Sequence, residues 1–215
     1  MDATNAVLVE AGYPAIGMAD YEYGCRYTTP DRFAYHSGAG DAAGAALGAA
    51  FDAKYVALVS PETCAPYPRI GAVLAGVKAR GVRQGALSNA CFAYVDAVAD
   101  RNPEAFGAVL EVRLGPDNVP KAKPHPDGLL AACAKLGADP ARSVYVGDSP
   151  SDGAAARAAG CTGVGVTYGA NAREKLEGSF DYLVDSVDEL QVLLLGGPGG
   201  EGGGLCGSVV CARED

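Results

Sequence analysis

Tryptophan is absent from this 215-residue chain, and histidine occurs only twice, at His36 and His125. Two histidines far apart in sequence give poor support to a His-based metal site or a Ser-His-Asp triad. No C-x-x-C pair occurs. The seven cysteines (25, 64, 91, 133, 161, 206 and 211) are odd in number and scattered, unlike a zinc spacing or a small disulfide framework. They read as small apolar residues of a reduced, intracellular protein, which makes cytoplasmic the expected localisation. Basic residues are also scarce: 17 Lys and Arg against 26 Asp and Glu leave a net charge of −9. An acidic chain has no general attraction to phosphate backbones or anionic lipid, so neither nucleic acid nor a membrane surface is expected as a partner. No apolar run approaches the roughly 20 residues of a spanning helix, and the first residues, MDATNAVLVEAG, lack a basic leader region.

Apolar residues, at 49%, are plentiful enough to bury a core. Residues 1–60 are rich in Ala and Gly and read as a small helical unit. PETCAPYP (61–68) is a linker, because three prolines do not fit inside a helix or a central strand. From residue 69 the pattern alternates. RIGAVLAGVKAR is a helix stopped by Gly81, VRQGALSN a strand, and 91–101 a helix. GAVLEVRL is a strand, DGLLAACAKLG a helix, and SVYVGD a strand. SDGAAARAAG is a helix and TGVGVT a strand, and a short strand YLVD precedes the helix SVDELQVLLL. Such alternation predicts an α/β fold with a parallel sheet covered on both faces. Residues 196–215, with eight glycines in 196–207, read as a flexible tail.

In a sheet of this kind ligands sit beyond the carboxyl ends of the strands. Three strand ends carry chemistry: Ser88-Asn89 after GAL, Lys123 in KAKPHP, and Asp148 after SVYVG, with Asp152 four residues on. A hydroxyl, an ammonium and two carboxylates at one edge form a plausible site for phosphate and Mg²⁺. Each piece also has a plain structural reading. Ser149-Pro150-Ser151-Asp152 resembles a capping box, and taken alone Asp152 is better explained as part of it. Lys-Pro-His-Pro makes a rigid turn, and Ser88-Asn89 is turn chemistry. Capping does not explain Asp148, which ends a buried apolar strand.

Taken in order, a strand ending in Ser-Asn, Lys-Pro-x-Pro opening a helix, V-Y-V-G-D-S-x-x-D, A-A-x-A-A-G and V-G-V-T-Y-G resemble the haloacid dehalogenase-like hydrolase superfamily, most closely its phosphoglycolate phosphatase branch. The resemblance implies a Rossmann-like three-layer core (61–195) with a small helical cap (1–60), and a Mg²⁺-dependent phosphomonoesterase acting on a small phosphorylated metabolite. It implies that Ser88 binds the transferring phosphoryl group, with Asn89 beside it. Lys123 would steady nucleophile and phosphate, and Asp148 would bind Mg²⁺, with Asp152 as its second acid, direct or through water. The cap residues Tyr23, Arg26, Tyr27, Arg32 and His36, and the loop near Tyr168–Asn171, are where substrate identity is expected to lie; no individual role is assigned.

One element of that pattern is absent. The superfamily's nucleophile lies in D-x-D-G-[TS] at the end of the central strand, and no D-x-D occurs in these 215 residues. The chain is expected to lack that strand, leaving a seam between VRQGALS and SVYVGD. AVLVE (6–10) is β-prone but adjoins a helical pattern and brings no aspartate pair. Two explanations stand: an incomplete version of an active phosphatase, or a non-catalytic paralogue that binds phosphometabolites. A phosphosugar mutase or a pyrophosphatase with the same core is a further alternative.

Overall fold

The computed structural model describes residues 1–25 and 27–197, together with the backbone of 209–211; Arg26 and the rest of the glycine-rich tail lie outside the described residues. The first quarter of the chain is helical: α1 (Asp2–Glu10), α2 (Met18–Gly24), α3 (Thr29–Ser37) and α4 (Asp41–Ala57). AVLVE lies within α1. Val7, Leu8, Phe33, Leu47 and Phe51 form a small core of their own. The pairing of α3 with α4 is close because Gly44 faces Ala34 and Pro30, where a Cβ would collide, and Gly48 lies tightly against Pro30. Of these helices the sequence pattern predicts α1 and α4; α2 is short, and α3, as long as α1, is too polar to announce itself.

The remainder alternates as the pattern requires. Helix α5 (Ile70–Ala79) leads to β1 (Gln84–Leu87), then α6 (Phe92–Arg101) to β2 (Leu110–Leu114), and α7 (Asp127–Leu136) to β3 (Val144–Gly147). Helix α8 (Pro150–Ala159) precedes β4 (Thr162–Val166), α9 (Arg173–Leu176) precedes β5 (Tyr182–Val184), and α10 (Val187–Leu195) packs back on α5. Gly137 and Gly160 end α7 and α8 in the left-handed region, φ 60° and 76°, where L side chains are disfavoured. All strand pairings are parallel. One face buries Leu129, Leu136, Tyr145 and Ala155 beneath α7 and α8; the other buries Val73, Val77, Val164 and Leu190 beneath α5 and α10. This is the expected three-layer arrangement.

The sheet order is β2-β1-β6-β3-β4-β5, where β6 is Val209–Cys211. The tail therefore does not leave the expected open seam. Its residues 209–211 lie between β1 and β3, with Val209 opposite both Gln84 and Val144 and Cys211 opposite both Ala86 and Val146. The physical reason is the cost of two facing strand edges with unpaired backbone groups. Val-Val-Cys, β-prone and preceded by glycines, is the segment of the tail suited to fill it. This register sets Ser88 and Asp148, each the first residue beyond its strand, at one level. Two strand spacings, about 10 Å, separate them.

Candidate active site

Asp148 and Asp152 share a short loop and do different work. Ser149 caps α8: its hydroxyl accepts from the Asp152 N–H, and Asp152 reaches back to the Ser149 N–H at 3.0 Å, completing the capping box that the sequence suggests. Asp152 is 0% exposed. Its Oδ2 accepts from the backbone N–H groups of Asp148 (3.0 Å) and Ser149 (3.0 Å) and from the Ser149 hydroxyl (3.1 Å). Its Oδ1 accepts from Lys123 Nζ at 2.6 Å and from the Tyr145 hydroxyl at 2.9 Å. Both side chains of the Lys123–Asp152 pair are 0% exposed. A buried ion pair stands only when its remaining lone pairs are satisfied, and this carboxylate meets that condition. Its oxygens are thus committed to Lys123, Tyr145 and the start of α8. Through Asp152, the ammonium of Lys123 and the backbone of Asp148 are tied to one carboxylate.

Lys123 is fixed a second way. The Asn89 side-chain amide donates to the Lys123 carbonyl and its carbonyl accepts from the Lys123 N–H, both at 3.2 Å. The turn after β1 thereby clamps the loop before α7. Ser88 closes the same turn, its hydroxyl accepting from the Ala90 N–H at 3.0 Å. Asn89, expected beside the phosphoryl group, uses both ends of its amide to position Lys123.

Asp148 is buried and held by the loop after β4. Its Oδ2 accepts from the Ala170 N–H at 2.8 Å, and Asn171 donates to its backbone carbonyl at 3.0 Å. A Cβ at Gly169 would overlap the Asp148 carboxyl, so that close approach requires glycine. Asp148 and Ser88 line one cavity of 160 Å³, whose walls are otherwise largely apolar, including Leu74, Val146, Val166 and Leu190. Lys123, its side chain buried, lies instead in the wall of a cleft of 640 Å³ between the helical unit and the core, with Asp52, Cys91 and His125.

Sequence reasoning missed three groups here. Tyr145 was hidden in the apolar run of β3, although it is fully buried with its hydroxyl on Asp152. Asp52 is half-buried in α4; burial pushes its carboxyl above the usual range, against the Cys91 thiol, Arg32 and the Thr29 hydroxyl. The third is Ala170, which acts through its backbone and leaves no side-chain signal. Among the described residues no group of three or more His, Cys, Asp or Glu side chains gathers as a metal cluster. Asp148 is the carboxylate at the Ser88 level, and one or two carboxylates plus substrate phosphate is the usual complement for Mg²⁺. Asp152, its oxygens accepting from five donors, serves the capping box and Lys123 rather than a direct cation contact.

The chain is 34% identical over 138 residues to phosphoglycolate phosphatase of Escherichia coli (strain K12), and 35% to that of Salmonella typhi. Each match covers 64% of this chain and 54% of the relative, so the chain spans about half the length of the curated relatives it matches. In fold it is similar to CbbY from Rhodobacter sphaeroides in complex with phosphate (TM-score 0.75, 22% identity, 88% of this chain and 87% of that one). It is also similar to β-phosphoglucomutase from Clostridium difficile (TM-score 0.72, 18% identity, 88% and 84%). The model of the haloacid dehalogenase-like hydrolases matches residues 8–160, and the chain belongs to that family.

Proposed function

We propose that this chain handles the phosphoryl group of a small organic phosphomonoester, as a Mg²⁺-dependent phosphatase of phosphoglycolate phosphatase type does. The observation that carries the reading is the Asp152 carboxylate joining Lys123 to the Asp148 turn, level with Ser88 across the sheet. In this reading the Ser88 hydroxyl and the Lys123 ammonium bind phosphoryl oxygens, and the fixed positive charge of Lys123 offsets the charge that develops in transfer. Asp152 aims Lys123 through their 2.6 Å contact. Asp148 would hold Mg²⁺, which supplies further charge neutralisation at the phosphoryl group when bound. The α1–α4 unit serves as a cap that limits water at the cleft. The curated relatives' name makes 2-phosphoglycolate the first substrate to try.

Covalent phosphoryl transfer needs a positioned carboxylate nucleophile, and the sequence contains no D-x-D to supply one. The reading is tested by joining a strand ending in D-x-D-G-T ahead of residue 1 and measuring phosphate release from a panel of small phosphomonoesters. Mg²⁺-dependent release supports it; inertness across the panel contradicts it. The occupation of the seam by 209–211 favours a second reading, a protein that binds a phosphometabolite without turning it over. Saturable binding of a phosphoester to the chain as it stands, with no turnover from the joined form, selects that second reading. In either case five described cysteines are free thiols, which supports a reducing, cytoplasmic setting. Among the described residues no helix is long and apolar enough to cross a membrane.

A further inference from the structure

Cys133 and Cys161 meet where β3 and β4 begin, at the opposite end of the strands from Ser88 and Asp148. Cys133 sits in the last turn of α7, its carbonyl accepting from the Ala138 N–H at 2.8 Å beyond the Gly137 stop. Cys161 follows the Gly160 stop of α8, its N–H donating to the Ala156 carbonyl at 2.9 Å, and β4 starts at the next residue. Both are buried in the core beneath α7 and α8.

Ser143 brings the two side chains together. The Cys133 thiol donates to the Ser143 hydroxyl at 3.6 Å. Ser143 immediately precedes β3 as Cys161 immediately precedes β4. Val144 is opposite Thr162, and the Thr162 N–H donates to the Ser143 carbonyl at 2.9 Å. Ser143 and Cys161 are therefore cross-strand neighbours, about 5 Å apart. Tyr145, two residues past Ser143, faces the same core, so by the strand period Ser143 does too. The Cys161 thiol closes the triangle by hydrogen-bonding to the Cys133 sulfur. That bond holds the Cys133 thiol below the usual range and, together with burial, pushes that of Cys161 up. A sulfur with thiolate character beside one that keeps its proton is suited to attack and resolution. At the half-buried Cys91, by contrast, burial pushes the thiol up to about 11.

We propose that Cys133 and Cys161 form a redox-sensitive modification site, which hydrogen peroxide converts into a reversible disulfide pinning the end of α7 to the start of β4. The Cys133 sulfur, having given up its proton, attacks one oxygen of the peroxide. The O–O bond breaks, and hydroxide leaves with that proton as water, so that Cys133 becomes a sulfenic acid. The Cys161 sulfur then attacks the Cys133 sulfur, the S–O bond breaks, and the departing hydroxide takes the Cys161 proton. Two thiols lose two electrons, and one peroxide becomes two waters. The oxidant has only two heavy atoms and reaches the pair when the last turn of α8 frays at the exposed Gly160. The new bond closes a loop that carries Asp148 and Asp152 and restricts the unfolded chain. In a reducing compartment such a bond is transient.

The test exposes the full native chain to hydrogen peroxide at neutral pH, quenches with catalase, alkylates the remaining thiols and maps tryptic peptides by mass. It does not depend on what the Ser88–Asp148 edge binds. Peptide 122–135 should appear joined to 158–173 with the loss of two hydrogens, and dithiothreitol should release both. The link should form at least about tenfold faster than Cys91 is oxidised. The unfolding equilibrium constant of the linked chain in urea should be at least about tenfold lower than that of the reduced chain. C133A and C161A should each abolish the link. Peptides 122–135 and 158–173 remaining unlinked overturns the inference, as does a link from either cysteine to any other. A link that forms only in the urea-unfolded chain, or a linked chain no more stable than the reduced one, also overturns it. If neither variant folds, the peptide map of the wild-type chain decides.

Discussion

Asn89 grips the peptide unit of Lys123 from both sides, donating to its carbonyl and accepting from its N–H at 3.2 Å each. A residue two positions beyond the end of β1 thus sets the backbone of the lysine whose ammonium meets Asp152. N89L removes both bonds and leaves the Lys123 backbone groups without them. It should lower stability by about 1–3 kcal/mol in urea denaturation and weaken phosphate binding. An unchanged urea midpoint with unchanged phosphate affinity would show that the clamp is idle.

The Lys123–Asp152 pair makes a sharper energetic prediction. Either K123M or D152N alone leaves a buried partner uncompensated and should cost about 3–5 kcal/mol. The double variant should cost clearly less than the sum, because its second substitution removes the orphan left by the first. Additive losses in equilibrium unfolding would mean that the two groups do not stabilise one another.

Strand β6 predicts protection in places distant in sequence. Its three residues pair with both β1 and β3, so deleting 209–211 should speed amide exchange in 84–87 and in 144–147 together. V210P, which removes a ladder N–H from the middle of the sheet, should do the same, and V210A much less. Exchange unaltered at both neighbouring strands would place the tail elsewhere.

Asp52 should impose a pH dependence on stability. Burial raises its carboxyl above 3.8 in the folded chain, so the folded form holds a proton that the unfolded chain has released. The stabilisation is complete below pH 3.8 and is lost as pH rises through the raised folded value. Solvent access at this half-buried site keeps the effect below about 1 kcal/mol. Melting curves from about pH 4 to about pH 7 should therefore decline less for D52N than for the wild-type chain. D52N should melt about 1–2 °C higher at neutral pH. Parallel curves would contradict the assignment.

Much of this architecture is legible in the chain itself. The strands ending at Leu87 and Gly147, the glycine stops at 137 and 160, and the Ser149–Asp152 capping box all leave local signals of period or residue type. The capping box shows the limit of such reading: spacing places two acids four residues apart, but only packing shows that five donors occupy the second. Strand β6 left no usable signal, since three residues in a glycine-rich stretch carry no periodicity and their place depends on a seam made elsewhere. Cys133 and Cys161 are two of seven scattered cysteines. What singles them out is Ser143, which the pairing of β3 with β4 sets beside both, and that is not a property of their local sequence.

The central claim is that phosphate and a divalent cation meet at the carboxyl ends of β1 and β3. Its most direct measurement is calorimetric titration of Mg²⁺ into the chain with and without saturating inorganic phosphate, repeated for D148N and S88A. The account predicts that phosphate tightens Mg²⁺ binding at least about tenfold, a coupling of ordinary size for two ligands sharing a site. It also predicts that D148N abolishes the coupling and that S88A weakens it. Mg²⁺ affinity indifferent to phosphate, or coupling that survives intact in D148N, would contradict it.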